Sequence, residues 1–109
     1  MKRFALALDL KNDATLIAEY ERYHEKIPAA IDKSIRDAGI IRLDIYRLDT
    51  RMFMVLETTD DFSFEKKAKM DVNNPDVQAW ETLMWQFQKP LKQAKKGEKW
   101  LFMKQIFEL

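Results

Sequence analysis

The stretch spanning residues 40–60, IIRLDIYRLDTRMFMVLETTD, decides the fold. It reads as two strands, Ile40–Asp49 and Arg51–Asp60, and the few residues between them suit a hairpin. Alternation in the second strand puts Met52, Met54 and Leu56 on one face and Phe53 and Val55 on the other. Both faces therefore carry apolar side chains.

Toward the amino terminus, Arg3–Leu10 also alternates, with Phe4, Leu6, Leu8 and Leu10 opposite Ala5, Ala7 and Asp9. The period then lengthens, and Leu16, Ile17, Tyr20, His24 and Ile27 recur at helical spacing. Asn12 or Asp13 is the expected N-cap, and Pro28 ends or kinks the helix. Residues 29–39 continue as a second helical stretch with Ile31, Ser34, Ile35 and Ala38 on one face, stopped by Gly39. Beyond the hairpin come helical segments around residues 62–70 and 75–88. In the second, Val77, Trp80, Met84 and Phe87 share a face. A loop over residues 89–98 leads to a last strand, residues 99–109.

The order βαββαβ in one domain, residues 1–109, predicts an α+β fold: a ferredoxin-like antiparallel sheet of the dimeric α/β barrel type, with helices on one face. In the last strand Trp100, Phe102 and Ile106 oppose Leu101, Met103 and Phe107. A second apolar face of this size needs a cover, most simply the sheet of a second copy, so a homodimer is expected.

Composition narrows the chemistry. Hydrophobic residues make up 47% of the chain and charged residues 34%, a globular balance. The 19 basic and 18 acidic residues nearly cancel, which gives no electrostatic reason to expect nucleic acid or a membrane as partner. The absence of cysteine excludes disulfides, thiol catalysis and cysteine-ligated metals. No apolar run approaches the ~20 residues that span a bilayer, and the chain is expected to be soluble and cytoplasmic. With two glycines, it carries neither a Walker loop nor a dinucleotide fingerprint. Lys89, Lys92, Lys95, Lys96 and Lys99 read as a solvated loop, and residues 58–62, TTDDF, as turn and helix-start chemistry.

The only histidine is His24. Tyr20 lies one helical turn before it on the same apolar stripe, so the imidazole points toward the sheet or a cavity beside it. That position fits a core histidine held by one hydrogen bond. It also fits a general acid/base, because imidazole exchanges protons near neutral pH without strong tuning. Trp80 followed by Glu81 allows a second double reading: helix packing, or a ring that stacks on a polyol with a carboxylate beside it for hydroxyls.

Taken together, the EYERYH helix, the DIYRL and RMFMVLET strands, the VQAWETLMW helix and the terminal EKWLFMKQIFEL resemble the L-rhamnose mutarotase family over essentially the whole chain. DDFSFEKKAKMD, NPDVQAWETLMWQFQKPL and GEKW resemble its L-fucose branch. The resemblance implies a dimeric, cofactor-free isomerase that interconverts the α and β anomers of a 6-deoxy-hexose monosaccharide. It implies His24 as the proton-transfer residue and Tyr20 and Trp80 as substrate contacts, with Glu81 a weaker candidate for hydroxyls. The rhamnose branch has a tandem tryptophan where this chain has Trp80-Glu81, a Trp-Pro where it has Pro28-Ala29, and a strand tyrosine where it has Leu43. These differences favour L-fucose over L-rhamnose. Two other classes fit the same residues: a haem-handling or oxygenase-like dimeric barrel with His24 as ligand or base, and a non-catalytic sugar-binding module.

Overall fold

The computed structural model describes all 109 residues. Its elements are β1 (Lys2–Leu10), α1 (Ala14–Glu25), α2 (Ala29–Asp37), β2 (Ile40–Leu48), β3 (Arg51–Thr58), α3 (Phe64–Val72), α4 (Pro75–Trp85), β4 (Gln88–Lys89) and β5 (Leu101–Phe102). The sheet order is β2-β3-β1-β4, and β5 also pairs with β1. Every pairing is antiparallel. This is the ferredoxin-like arrangement expected from the hairpin.

The hairpin closes through Asp49 and Thr50, with Leu48 opposite Arg51. Asp49 takes a φ of 54°, the left-handed conformation that a two-residue turn demands and that aspartate tolerates. Register then decides what faces where. Leu6 opposes Met54, Leu8 opposes Met52 and Phe4 opposes Leu56. Leu43 and Ile45 of β2 continue the same row. Side chains alternate across a strand, so this row forms one face, and the helices cover it. Leu8, Leu10, Tyr20, Met52, Met84 and Phe87 form one core cluster there, and Leu6, Ile40, Leu56 and Phe62 form another.

The opposite face presents Ala5, Ala7, Val55, Phe53, Tyr46 and Leu101, with no helix over it. Tyr46 is 58% exposed and Phe53 36%. Ion pairs Arg3–Glu57, Arg42–Asp44 and Arg51–Asp9 surround this apolar centre.

Local chemistry sets the helix ends. Asp13, not Asn12, caps α1, accepting from the amides of Thr15 and Leu16 at 2.9 and 3.1 Å. Pro28, extended at φ −57° and ψ 144°, separates α1 from α2. Ser63 caps α3 and Asn74 caps α4, with Pro75 in the first turn, where a missing N–H costs nothing. The TTDDF segment makes a turn, with Thr59 Oγ1 bonded to Asp61 Oδ1 at 2.6 Å.

Two sequence expectations are corrected. Helix α4 stops at Trp85, and Phe87 reaches the core from the turn that follows, its amide bonded to Met84 O at 3.0 Å. The expected last strand, residues 99–109, contracts to Leu101–Phe102. Its place beside β1 is shared. Gln88 and Lys89 pair with Leu10 and Asp9, and Leu101 and Phe102 pair with Ala7 and Leu6. β4 and β5 are thus two pieces of one strand position, separated where Pro90 has no N–H to give the ladder. Residues 90–100 leave the sheet and return, bringing Trp100 back against both core clusters.

Gly39 supplies the conformation that joins α2 to β2. Its φ is 97°, and an added Cβ would lie 2.8 Å from Thr59 Oγ1. Gly97 has a φ of 86° but nothing within 4 Å of such a Cβ. Gly97→Ala should therefore cost about 1 kcal/mol from backbone conformation alone, and Gly39→Ala about 1–3 kcal/mol more. Urea unfolding of the two variants side by side measures the difference, and equal losses would show that Thr59 yields freely.

Candidate active site

The site grows from the buried end of α1. Tyr20 is 4% exposed and His24 is half-buried one turn later, with ring centroids 4.5 Å apart. His24 Nδ1 lies 2.8 Å from the main-chain oxygen of Tyr20. A carbonyl oxygen only accepts, so Nδ1 carries the hydrogen and donates it. In the neutral ring, Nε2 is then the nitrogen with a free lone pair. The bond also holds the imidazole plane against its own helix.

Helix α4 supplies the facing wall. The Trp80 ring centroid lies 5.6 Å from that of His24 at 64°, and Tyr23 packs edge-on against the same indole at 6.4 Å. Between these helices and the covered face of the sheet lies a mostly apolar cavity of about 490 Å³. Leu6, Leu43, Ile45, Met54 and Leu56 floor it, and Ile31 and Ile35 close one side. The returning segment contributes Lys99 and Trp100. Tyr20, His24, Trp80 and Glu81, which come from separate helices, all line this one space. Its size is within the range of small-molecule sites, roughly 300–1,000 Å³.

A second recess of about 470 Å³ is lined by Tyr20, Glu21, His24, Glu25, Ile45, Tyr46, Arg47 and Met52. Tyr20 and His24 line both spaces, so they stand in the wall between them. Tyr46 lines the recess, and Tyr23 lines neither space.

Polar groups are few and placed around the cavity. Lys67 Nζ and Asp71 Oδ2 pair at 2.5 Å across one turn of α3, with their side chains 25% and 14% exposed. Lys99 Nζ reaches the main-chain oxygen of Glu81 at 3.5 Å and lies 5.0 Å from the centre of the Trp85 ring. Gln88, 5% exposed, donates from Nε2 to Tyr20 Oη at 3.1 Å. Burial pushes the Tyr20 phenol above its ordinary pKa of 10.0, and the bond from Gln88 offsets part of that rise. The phenol therefore keeps its proton at neutral pH.

Four of these residues escape a reading of the sequence, Lys99 among them, since it reads as part of a solvated loop but lines the cavity. Lys67 and Asp71 look like an ordinary solvated i,i+4 pair, and Gln88 falls where a helix runs into a loop. The available signal for Lys67 and Asp71 was their helical spacing, which does not say which way the pair faces.

The chain is similar to known proteins along essentially its whole length. Residues 3–109 match the model of the L-rhamnose mutarotase family. An L-fucose mutarotase of Xanthomonas campestris pv. campestris is 41% identical over 111 residues, covering 100% of this chain and 89% of that protein. A UPF0734 protein of Dictyostelium discoideum is 32% identical over 115 residues, covering 99% and 90%. Among solved structures, an L-rhamnose mutarotase of Formosa agariphila superposes with a TM-score of 0.72 at 14% identity, covering 100% of this chain and 99% of that one. Tetracenomycin F2 cyclase of Streptomyces glaucescens, a type-II polyketide cyclase, superposes at 0.65 with 15% identity and the same coverage. At such identities these two speak for the fold.

The buried phenol has a consequence for stability. Tyr20→Phe should destabilise the fold at pH 7 by about 1–3 kcal/mol, because the Gln88 amide loses its partner. A folded-state pKa raised above the unfolded value stabilises the native state fully below pH 10.0, and that contribution falls as pH rises beyond it. The stability gap between wild type and Tyr20→Phe should therefore narrow above pH 10.0. Urea titrations from neutral to alkaline pH check the sign.

Proposed function

The chain belongs to the L-rhamnose mutarotase family, and from that membership we propose that it is a cytoplasmic, homodimeric enzyme interconverting the α and β anomers of L-fucose, with His24 as its acid/base. The family acts on sugar anomers. The 41% identical L-fucose mutarotase favours that sugar over L-rhamnose. The observation that carries the catalytic assignment is His24 itself, its tautomer set by Tyr20 O at 2.8 Å, in the wall of a mostly apolar cavity beside Trp80.

The chemistry follows from those atoms. Nε2 takes the proton of the anomeric hydroxyl as the bond between C1 and the ring oxygen breaks. The ring oxygen gains a proton from water or a second polar group that completes the relay, leaving an open-chain aldehyde. Rotation about C1–C2 presents the other carbonyl face, and the same steps in reverse close the second anomer. No electrons leave the substrate, so these steps need only a positioned proton carrier and a space in which the aldehyde turns. Trp80 offers its face to the less polar side of the sugar, and Leu43 and Met54 offer an apolar wall to the 6-methyl group. Glu81 forms no ion pair with another residue, which leaves its carboxylate for a hydroxyl.

The dimer is supported by the face the helices leave bare. Tyr46 and Phe53 stack there with centroids 6.2 Å apart, ringed by residues of both charge signs that a two-fold axis can match to each other. Leu101, opposite Ala7, belongs to the same face, and Ile106 and Phe107 beyond it are 90% and 76% exposed. No helix is long and apolar enough to cross a membrane.

Saturation-transfer NMR on L-fucose and L-rhamnose tests the reaction. The wild type should speed anomer exchange, more for L-fucose, and His24→Ala should lower the rate about 10²–10⁴-fold. Equal rates in the two proteins would refute the role of His24. Sedimentation at micromolar concentration should give twice the chain mass, and Val55→Glu, with a charge at the centre of the bare face, should give the single chain.

A further inference from the structure

Gln88 Oε1 is the one buried side-chain oxygen or nitrogen in the chain without a hydrogen-bond partner. A buried acceptor left unpaired costs about 1–3 kcal/mol, and the fold offers no reason to bear it. Gln88 sits opposite Leu10 on the covered face, at the first residue of β4 and beside the departure of the chain from the sheet. Its side chain lines the 490 Å³ cavity. Its other polar atom, Nε2, is committed to Tyr20 Oη at 3.1 Å.

That bond orders the tyrosine as well. A phenol oxygen that accepts from an amide N–H turns its own proton elsewhere, and no protein acceptor takes it. Tyr20 and Gln88, which both line the cavity, therefore hold two unused groups between them: an amide oxygen that accepts and a phenol proton that donates. A polyol has the complementary pair, since every hydroxyl both donates and accepts. In an apolar enclosure such bonds discriminate strongly, because a ligand lacking the hydroxyl leaves the amide oxygen unpaired.

We infer that Gln88 is a specificity-determining residue of the sugar site, accepting one non-anomeric hydroxyl at Oε1 while its Nε2 holds Tyr20 with the phenol proton aimed at the sugar. The inference rests on the mutarotase reading and deepens it. It does not require Gln88 to touch the reacting atoms.

The test pairs Gln88→Met, which keeps the volume and removes both polar atoms, with L-fucose and its 2-, 3- and 4-deoxy analogues, all of which keep the anomeric hydroxyl. Anomer exchange is followed by saturation transfer. Gln88→Met should lower kcat/KM for L-fucose about 5- to 150-fold, the range a buried hydrogen bond spans. One deoxy analogue should already be depressed on the wild type by a similar factor and lose little more on Gln88→Met. Equal further losses for every analogue would mean that Gln88 only supports the fold, and would overturn the inference. Should Gln88→Met fail to fold, Gln88→Glu keeps an acceptor in place. It should still discriminate against the same analogue, and loss of that discrimination counts against the assignment. A wild type that exchanges no sugar overturns the mutarotase reading together with this inference. An active wild type with uniform Gln88→Met losses overturns this inference alone.

Discussion

The unbroken antiparallel register between β1 and β3, from Lys2 opposite Thr58 to Asp9 opposite Arg51, is the constraint on which the molecule depends. It commits Leu6, Leu8, Met52 and Leu56 to one face, and the helices have to go where those side chains point. A slip of one residue would exchange that row for Ala5, Ala7, Phe53 and Val55, because side-chain direction alternates along a strand. The floor of the cavity is made from the same row. Neither the site nor the bare face can be moved without moving the other.

β1 also has a second edge, and what happens there distinguishes this chain from a plain four-stranded sheet. Only short pieces of chain pair along it, and residues 90–100 run outside the ladder between them. The detour is held by local turns, with the amide of Ala94 on Leu91 O and that of Glu98 on Lys95 O. Its outcome is functional geometry. Gln88 enters the cavity wall just before the chain departs, and Lys99 and Trp100 enter it as the chain returns. A continuous strand would place neither Trp100 nor Lys99 over the helices in this way.

Much of the architecture was legible in the residues because its signals are local. Alternation marked β1 and the hairpin, helical spacing put Tyr20 and His24 together, and Gly39 and Pro28 marked breaks that the backbone confirms. Trp80 and Glu81 were placed on a helix, and the structure brings both to the same cavity as His24. The misreadings are of another kind. Phe87 extends the apolar stripe of α4 in sequence, yet tertiary packing takes it from a turn, since burial and not helical phase is what its ring requires. Residues 103–109 offer apolar side chains to both faces of a would-be strand, but a strand exists only where a partner edge receives it, and β1 receives it only through Leu101, Phe102 and the amide of Met103, bonded to Ala5 O at 2.8 Å. Gln88 was invisible because an unpaired acceptor is a property of surroundings. No spacing announces it.

Mutarotation places an unusual demand on a binding site, and it bears on how these groups divide the work. The enzyme has to hold both anomers, so strong fixed contacts at C1 would favour one and slow the return. Discrimination among sugars must come from hydroxyls that do not change during the reaction. On the proposed reading His24 is the proton carrier, anchored by a main-chain bond that leaves Nε2 as the free nitrogen. Gln88 and Tyr20 are buried and hydrogen-bonded to each other, and the phenol holds its proton at neutral pH, which suits the constant contacts proposed for them while C1 inverts. On that reading the apolar walls around them let a few such bonds orient the ring without gripping its reacting end. A mobile proton at one side and immobile donors and acceptors at the other is the division of labour that the reaction requires.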